Sequence, residues 1–177
     1  MATKNTAQQP SMIETLKEKK KTKNNRHLFL IIPKHRNFVI KNQSSKEEMT
    51  MLKNGLTYTC TKKVEEHHLA IHMGSGDLHV LATPAMIALM EEAAMRTVAP
   101  YIPQESTTVG GQISSTHLKP TAHGRTISAT ATLTAVEGRK LRFTIIAKDE
   151  EGIIGEGEHL RFVVDRERFM TQLKNND

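Results

Sequence analysis

From Met51 onward the apolar positions follow two different periods. Over residues 126–135, Ile127, Ala129, Ala131, Leu133 and Ala135 alternate with Thr126, Ser128, Thr130, Thr132 and Thr134. Over 141–148, Leu141, Phe143, Ile145 and Ala147 share one face. A period of two predicts half-buried antiparallel strands, each with one packed face. Residues 153–164 predict another strand. Residues 109–118 predict one more, in which Gly110-Gly111 marks a bulge or a close backbone approach. Glu137-Gly138-Arg139 and residues 149–152 fit the turns between strands. Nearer the start, 56–64 is rich in Thr with Tyr58 and Val64 and predicts a first strand, and 67–76 reads as loop or short helix. Thr83 suits an N-cap, and Pro84 the first helical position, where its missing N–H costs nothing. Residues 84–99 are then a helix that Pro100 closes. Residues 165–173 fit a short terminal helix.

The order is therefore strand, loop, long helix, then four strands. A helix that is apolar nearly all round must be wrapped by something. A strongly bent antiparallel sheet is the available partner. The expected class is α+β, with the sheet wrapped round one long central helix in the hot-dog arrangement.

Charge alters how the chain divides. Residues 1–50 carry 11 Lys and Arg against 4 Asp and Glu, a net of +7. The whole chain carries 25 and 19, so residues 51–177 hold 14 and 15, a net of −1. The basic character belongs to the extension, and it gives no reason to expect nucleic acid as a partner of the domain. Five lysines fall between Lys17 and Lys23, and Asn, Gln, Ser and Lys dominate much of the rest. Such a segment buries too little apolar surface to offset its ordering entropy and is expected to be disordered. A second reading treats Lys46-Glu47-Glu48, just before Met49 and Met51, as a purine-rich ribosome-binding site translated in frame. Residues 1–48 would then precede the native start, which N-terminal sequencing of the native protein tests. The expected domain is 51–177.

Cys60 is the one cysteine, so no disulfide forms within the chain, and a reducing cytoplasm is the natural compartment. The apolar run 28–32 is stopped by Pro33 and Lys34, too short to span a membrane, and no membrane partner is expected.

The candidate chemistry lies between Gly74 and His117. Glu92 has Arg96 four residues on, an ordinary surface pair. Glu91 instead has Ile87, Ala88, Ala94 and Met95 as helix neighbours and no basic partner along the helix. A carboxylate on an apolar stripe costs free energy unless it is hydrogen-bonded or has a task such as general acid–base work. The bland reading is a Glu at the stripe's edge reaching water. Thr83 sits where the helix dipole favours developing negative charge, although a threonine there is more often only a cap. His117 ends its strand, and a lone strand histidine is by itself weak evidence. His67, His68, His72 and His79 cluster in sequence, but no HExxH or paired-Cys motif accompanies them, so no metal site is expected. Gly74-Ser75-Gly76 lacks the P-loop lysine and the dinucleotide spacing.

Residues from about 51 to 173 resemble the fluoroacetyl-CoA-thioesterase-like family of hot-dog thioesterases. The resemblance rests on Gly76-Asp77, Leu81-Ala82-Thr83-Pro84-Ala85-Met86, Leu89-Met90-Glu91 and Ala99-Pro100-Tyr101. It continues in Thr116-His117, Val136-Glu137-Gly138-Arg139 and Gly157-Glu158-His159. The extension has no counterpart there. By this resemblance the catalytic Thr, Glu and His fall on Thr83, Glu91 and His117, and a strand Arg supporting the acyl or cofactor site falls on Arg161. It implies hydrolysis of a small or medium acyl-CoA and a homodimer, or a larger assembly, with sites at the interface. No cofactor is implied beyond the CoA of the substrate. Gly110 and Gly111 join Arg161 as candidate substrate-binding positions. Lys119, Arg125 and Arg139 are candidates for the CoA phosphates, ordinary solubilising charge being as good an account of each. Departures are expected at Pro84 and in the apolar lid region, so the acyl group stays open. A non-catalytic hot-dog module that binds acyl-CoA as a regulator or subunit is the competing class. It needs no hydroxyl–carboxylate–imidazole set.

Overall fold

The computed structural model describes residues 52–174, so the expected properties of the basic extension lie outside the described residues. Five strands form one antiparallel sheet: β1 (Thr57–Lys63), β2 (Ser106–His117), β3 (Thr126–Glu137), β4 (Lys140–Asp149) and β5 (Gly152–Asp165), in the order β1-β3-β4-β5-β2. Between β1 and β2 come a short 3-10 turn at Glu66–His68, helix α1 (Ala70–Met73) and the long helix α2 (Thr83–Val98). A second 3-10 turn at Ala99–Tyr101 follows α2, and helix α3 (Arg166–Lys174) closes the described chain.

The period-two stretches become the sheet's two faces. Ala129, Ala131, Leu133, Leu141, Phe143, Ile145 and Ala147 are all buried on the side that receives α2. From α2, Met86, Leu89, Met90, Ala93, Ala94 and Val98 meet them. Full burial of each large side chain is worth about 1.5–3 kcal/mol, so this contact carries most of the core. The alanines matter by their size. Ala93 and Ala94 on the helix, with Ala129 and Ala131 on β3, leave room for helix and sheet to approach. Gly155 on β5 serves the same end: a Cβ there would lie 2.6 Å from Met86 Sδ and 2.7 Å from the Thr116 carbonyl oxygen.

The sheet covers only one side of α2. Thr83, Pro84 and Ala88 are exposed, and Ile87, Glu91 and Met95 are half-buried. This is the expected arrangement, one antiparallel sheet packed round one long helix. Among the described residues, the apolar stripe of α2 around Glu91, with Ile87, Ala88 and Met95, is not covered by the sheet.

Two local expectations also shift. The helix starts one residue earlier than expected, and its cap residue is Ala82, which offers no side-chain hydrogen bond. Thr83 is the first helical residue and its hydroxyl is free for another use; Pro84, one place further in, still falls where an N–H would go unbonded. In β2 the pairing with β5 slips between Gly110 and Gln112, which makes the glycine pair a bulge.

Candidate active site

The start of α2 is pinned from several sides. Leu81 N–H donates to the Thr121 carbonyl (2.8 Å) and Ala82 N–H to the His68 carbonyl (2.9 Å). At the end of β2, His117 pairs in register with Gly155, and Leu118 N–H donates to the Ile154 carbonyl (2.7 Å). These anchors bring Thr83 Oγ1 to 2.9 Å from His117 Nδ1. Among the described residues His117 Nε2 is buried with no hydrogen-bond partner. Burial pushes the His117 pKa below the ordinary histidine value, against a smaller opposing contribution from the Lys119 backbone. A neutral imidazole beside a hydroxyl can take that hydroxyl's proton or orient it. The pair opens onto a cavity of about 370 Å³ whose wall includes Gly76, Leu78, Val80, Leu118 and Lys119.

Glu91 belongs to a different cluster. It lies eight residues beyond Thr83, about 12 Å along the helix axis at 1.5 Å per residue. Its carboxylate Oε1 stands 3.6 Å from His159 Nε2 and 3.9 Å from Arg161 Nη1, both on β5. Gly110 makes the approach possible, because a Cβ there would lie 2.9 Å from Glu91 Oε1 and 3.3 Å from His159 Cε1. Gly111, the other bulge residue, lies under the Phe162 ring. Arg161 is only 7% exposed and donates from Nε to Thr108 Oγ1 (2.8 Å) and from Nη2 to the Thr108 carbonyl (2.8 Å). Burial lowers its pKa, opposed by the Glu91 charge. A buried guanidinium with neutral partners needs a counter-charge. Glu91 supplies it.

The structure thus joins Thr83 to His117, and Glu91 to Gly110 and Arg161, and separates the two groups within one chain. In the sequence His159 is only part of the matching Gly157-Glu158-His159 strand. Its place beside Glu91 comes from strand pairing, which no local pattern in the sequence carries. Lys119 Nζ reaches Asp149 (3.2 Å) and Glu151 (3.6 Å), and Arg125 reaches Glu151 (3.2 Å), all at the Thr83 end of the sheet. Arg139 lies at the other end, where its carbonyl accepts from Val163 N–H and it lines a pocket with Asp165 and Arg168. His67 and His68 meet with their rings tilted (centroids 3.8 Å apart, 47° between planes) and His72 meets His79 edge-on. Among the described residues no group of three or more His, Cys, Asp or Glu is placed to hold a metal ion.

Comparison with known proteins gives the class first. A hot-dog-like protein from Thermanaerovibrio acidaminovorans superposes with a TM-score of 0.66 at 20% identity, over 72% of this chain and 94% of that one, which shows the hot-dog fold. The structure of the fluoroacetyl-CoA thioesterase FlK superposes with a TM-score of 0.67 at 32% identity, over 71% of this chain and 98% of that one. The fluoroacetyl-CoA thioesterase of Streptantibioticus cattleyicolor is 39% identical over 95 residues, 54% of this chain and 68% of that protein. The FlK family model, described as fluoroacetyl-CoA-specific thioesterase, matches residues 64–167, and the chain belongs to that family of hot-dog thioesterases.

Proposed function

We propose that the protein hydrolyses a small or medium acyl-CoA thioester to the free acid and CoA, with Thr83, Glu91 and His117 as its catalytic residues. The observation that carries this reading is the Thr83–His117 pair. Its hydrogen bond is 2.9 Å, and the free His117 nitrogen is buried at the same place. A thioester needs a nucleophile, a polarised carbonyl and a proton route to the leaving thiolate. The carbonyl carbon is already activated, so the reading calls for no cofactor or metal beyond the CoA of the substrate. Glu91 activates water as a base or attacks as a nucleophile. His117 moves the proton, and Thr83 orients the carbonyl or the attacking group.

About 12 Å of helix between Thr83 and Glu91 is too far for one thioester carbonyl to meet both. The reading therefore includes a homodimer in which Glu91 of one copy faces the Thr83–His117 pair of the other. The uncovered stripe of α2, with Ile87, Ala88 and Met95 around Glu91, supports it, since a second copy would bury that stripe. Lys119 and Arg125 at the Thr83 end take the CoA phosphates in this reading, exchanging carboxylate partners for phosphate. Gly110, Gly111 and Arg161 shape the acyl end. Among the described residues no helix is long and apolar enough to cross a membrane. With a single, buried Cys60, the reading places the enzyme in the cytoplasm.

A thiol-release assay over a panel of acyl-CoAs tests the reading. Turnover of at least one short or medium acyl-CoA is expected. Tight acyl-CoA binding with no thiol release on any of them would make the protein a binding module.

A further inference from the structure

A run of hydrogen bonds leads from the bulge in β2 to Arg161 and ends in an ion pair with Glu91. His159 Nδ1 lies 2.7 Å from the Gln112 carbonyl oxygen. A carbonyl only accepts, so Nδ1 carries the proton and Nε2 of the neutral ring is an acceptor. Arg161 Nη1 fills that acceptor at 2.9 Å. Nε and Nη2 of the same guanidinium are fixed on Thr108, and Nη1 stands next to Glu91. The His159 side chain is 1% exposed, so water does not substitute for any of these partners. The charged groups facing the ring are Arg161 on its own strand and Glu91 on α2. β2 presents the Gln112 carbonyl, and the residue in register on β4 is Phe143.

We propose that His159 is a positioning residue for Glu91: as a neutral Nδ1–H imidazole it holds the Arg161 guanidinium against the Glu91 carboxylate, and protonation of the ring releases it. The proposal rests on the thioesterase reading in which Glu91 does the chemistry. A protonated His159 would turn an N–H toward the Nη1 N–H of Arg161. Two buried donors and two positive charges would then face each other with the acceptor gone. Burial holds the His159 pKa below the ordinary value; the Gln112 carbonyl and Glu91 work against that, and Arg161 adds to it. The neutral ring is therefore the working form at pH 7, and the release belongs to the acid side.

Two variants separate positioning from packing. In His159→Gln the amide oxygen replaces the Nε2 acceptor and cannot titrate. In His159→Asn the amide nitrogen replaces the Nδ1 donor and nothing reaches Arg161. kcat and KM are measured against pH for the wild type and both variants, with thermal unfolding as the check of folding. For His159→Asn, kcat is expected to fall by up to about 10²-fold, the scale of a misplaced reacting group, with little change in KM. His159→Gln should recover much of kcat and lose part of the acid-side fall. Equal kcat losses in both variants with the wild-type pH profile would overturn the proposal, since packing alone gives that result. A second readout needs no activity. In ¹⁵N NMR, His159 should be the Nδ1–H tautomer at pH 7. Acidification should move the Arg161 Nε–H signal in the wild type and not in His159→Gln. An Nε2–H tautomer, or the same Arg161 response in both proteins, overturns the network. If the wild type releases no thiol from any acyl-CoA, the thioesterase reading fails on its own, and this NMR pair still decides the network.

Discussion

Glu91 stands at 42% side-chain exposure beside a buried guanidinium, with Oε1 3.9 Å from Arg161 Nη1. A carboxylate placed so can balance the buried charge and still reach a reacting centre. Replacing it with the nearly isosteric Gln removes the charge and the basicity together. Glu91→Gln should lower kcat by about 10²–10⁴-fold, the usual worth of a general acid–base group, while circular dichroism shows the fold intact. Full turnover by this variant on the best substrate would remove Glu91 from the chemistry. A second expectation concerns pH. His117 and His159 both have pKa values lowered by burial, so the folded state binds fewer protons than the unfolded one in the acid range. The stability this represents is complete above the unfolded histidine pKa of about 6.5 and is lost as pH falls through the folded values. The melting temperature should therefore drop below about pH 6.5. His117→Asn should flatten part of that drop, and a melting temperature equally pH-dependent in wild type and variant would sink the assignment. Glu91 was legible as an anomaly in the sequence because its helix neighbours offered it no base. Of its real partners, Arg161 was placed at the site only by the family resemblance and His159 was not, because strand pairing brings both from far along the chain.

At the scale of elements, two glycines divide structure from function. A Cβ on Gly155 would press on the Met86 thioether, which is buried in the core, and on the Thr116 carbonyl, which is backbone and cannot yield easily. Gly155→Ala forces helix and sheet apart and should cost about 1–3 kcal/mol, as overpacking does, read as a lower denaturant midpoint. A Cβ on Gly110 would meet chiefly the end of the Glu91 side chain, which can move aside, and would press on buried His159 Cε1 at 3.3 Å, which needs to give by only a few tenths of an ångström. Gly110→Ala should therefore leave the midpoint near wild type and lower kcat by displacing the carboxylate. A Gly110→Ala protein that is destabilised but keeps the wild-type kcat would reverse this division. The strands were legible to within about three residues, since alternation along β3 and β4 is a direct consequence of one packed face. The bare stripe on α2 was not. Its sequence is apolar enough to imply a partner on every side, and hydrophobicity does not say whether that partner is in the same chain.

That question governs the whole molecule, because the two halves of the proposed site lie about 12 Å apart on one helix. If each site takes Glu91 from one copy and Thr83 with His117 from the other, damage to either half can be complemented in trans. Glu91→Gln and His117→Ala should each be nearly inactive alone. Mixed, unfolded and refolded together in equal amounts, they should form mixed dimers as about half of the population by random assortment. In each mixed dimer one site has lost both groups. The other has an intact Glu91 from the His117→Ala copy and an intact Thr83–His117 pair from the Glu91→Gln copy. Activity should therefore return to about a quarter of wild type, one good site of two in half the dimers. A site built within a single chain gives no recovery in the mixture, because every copy carries its own defect. Light scattering of the same sample should show the mass of a dimer or a multiple of it. Recovery at that mass supports the shared site, and a monomer, or a dimer mixture that stays inactive, refutes it.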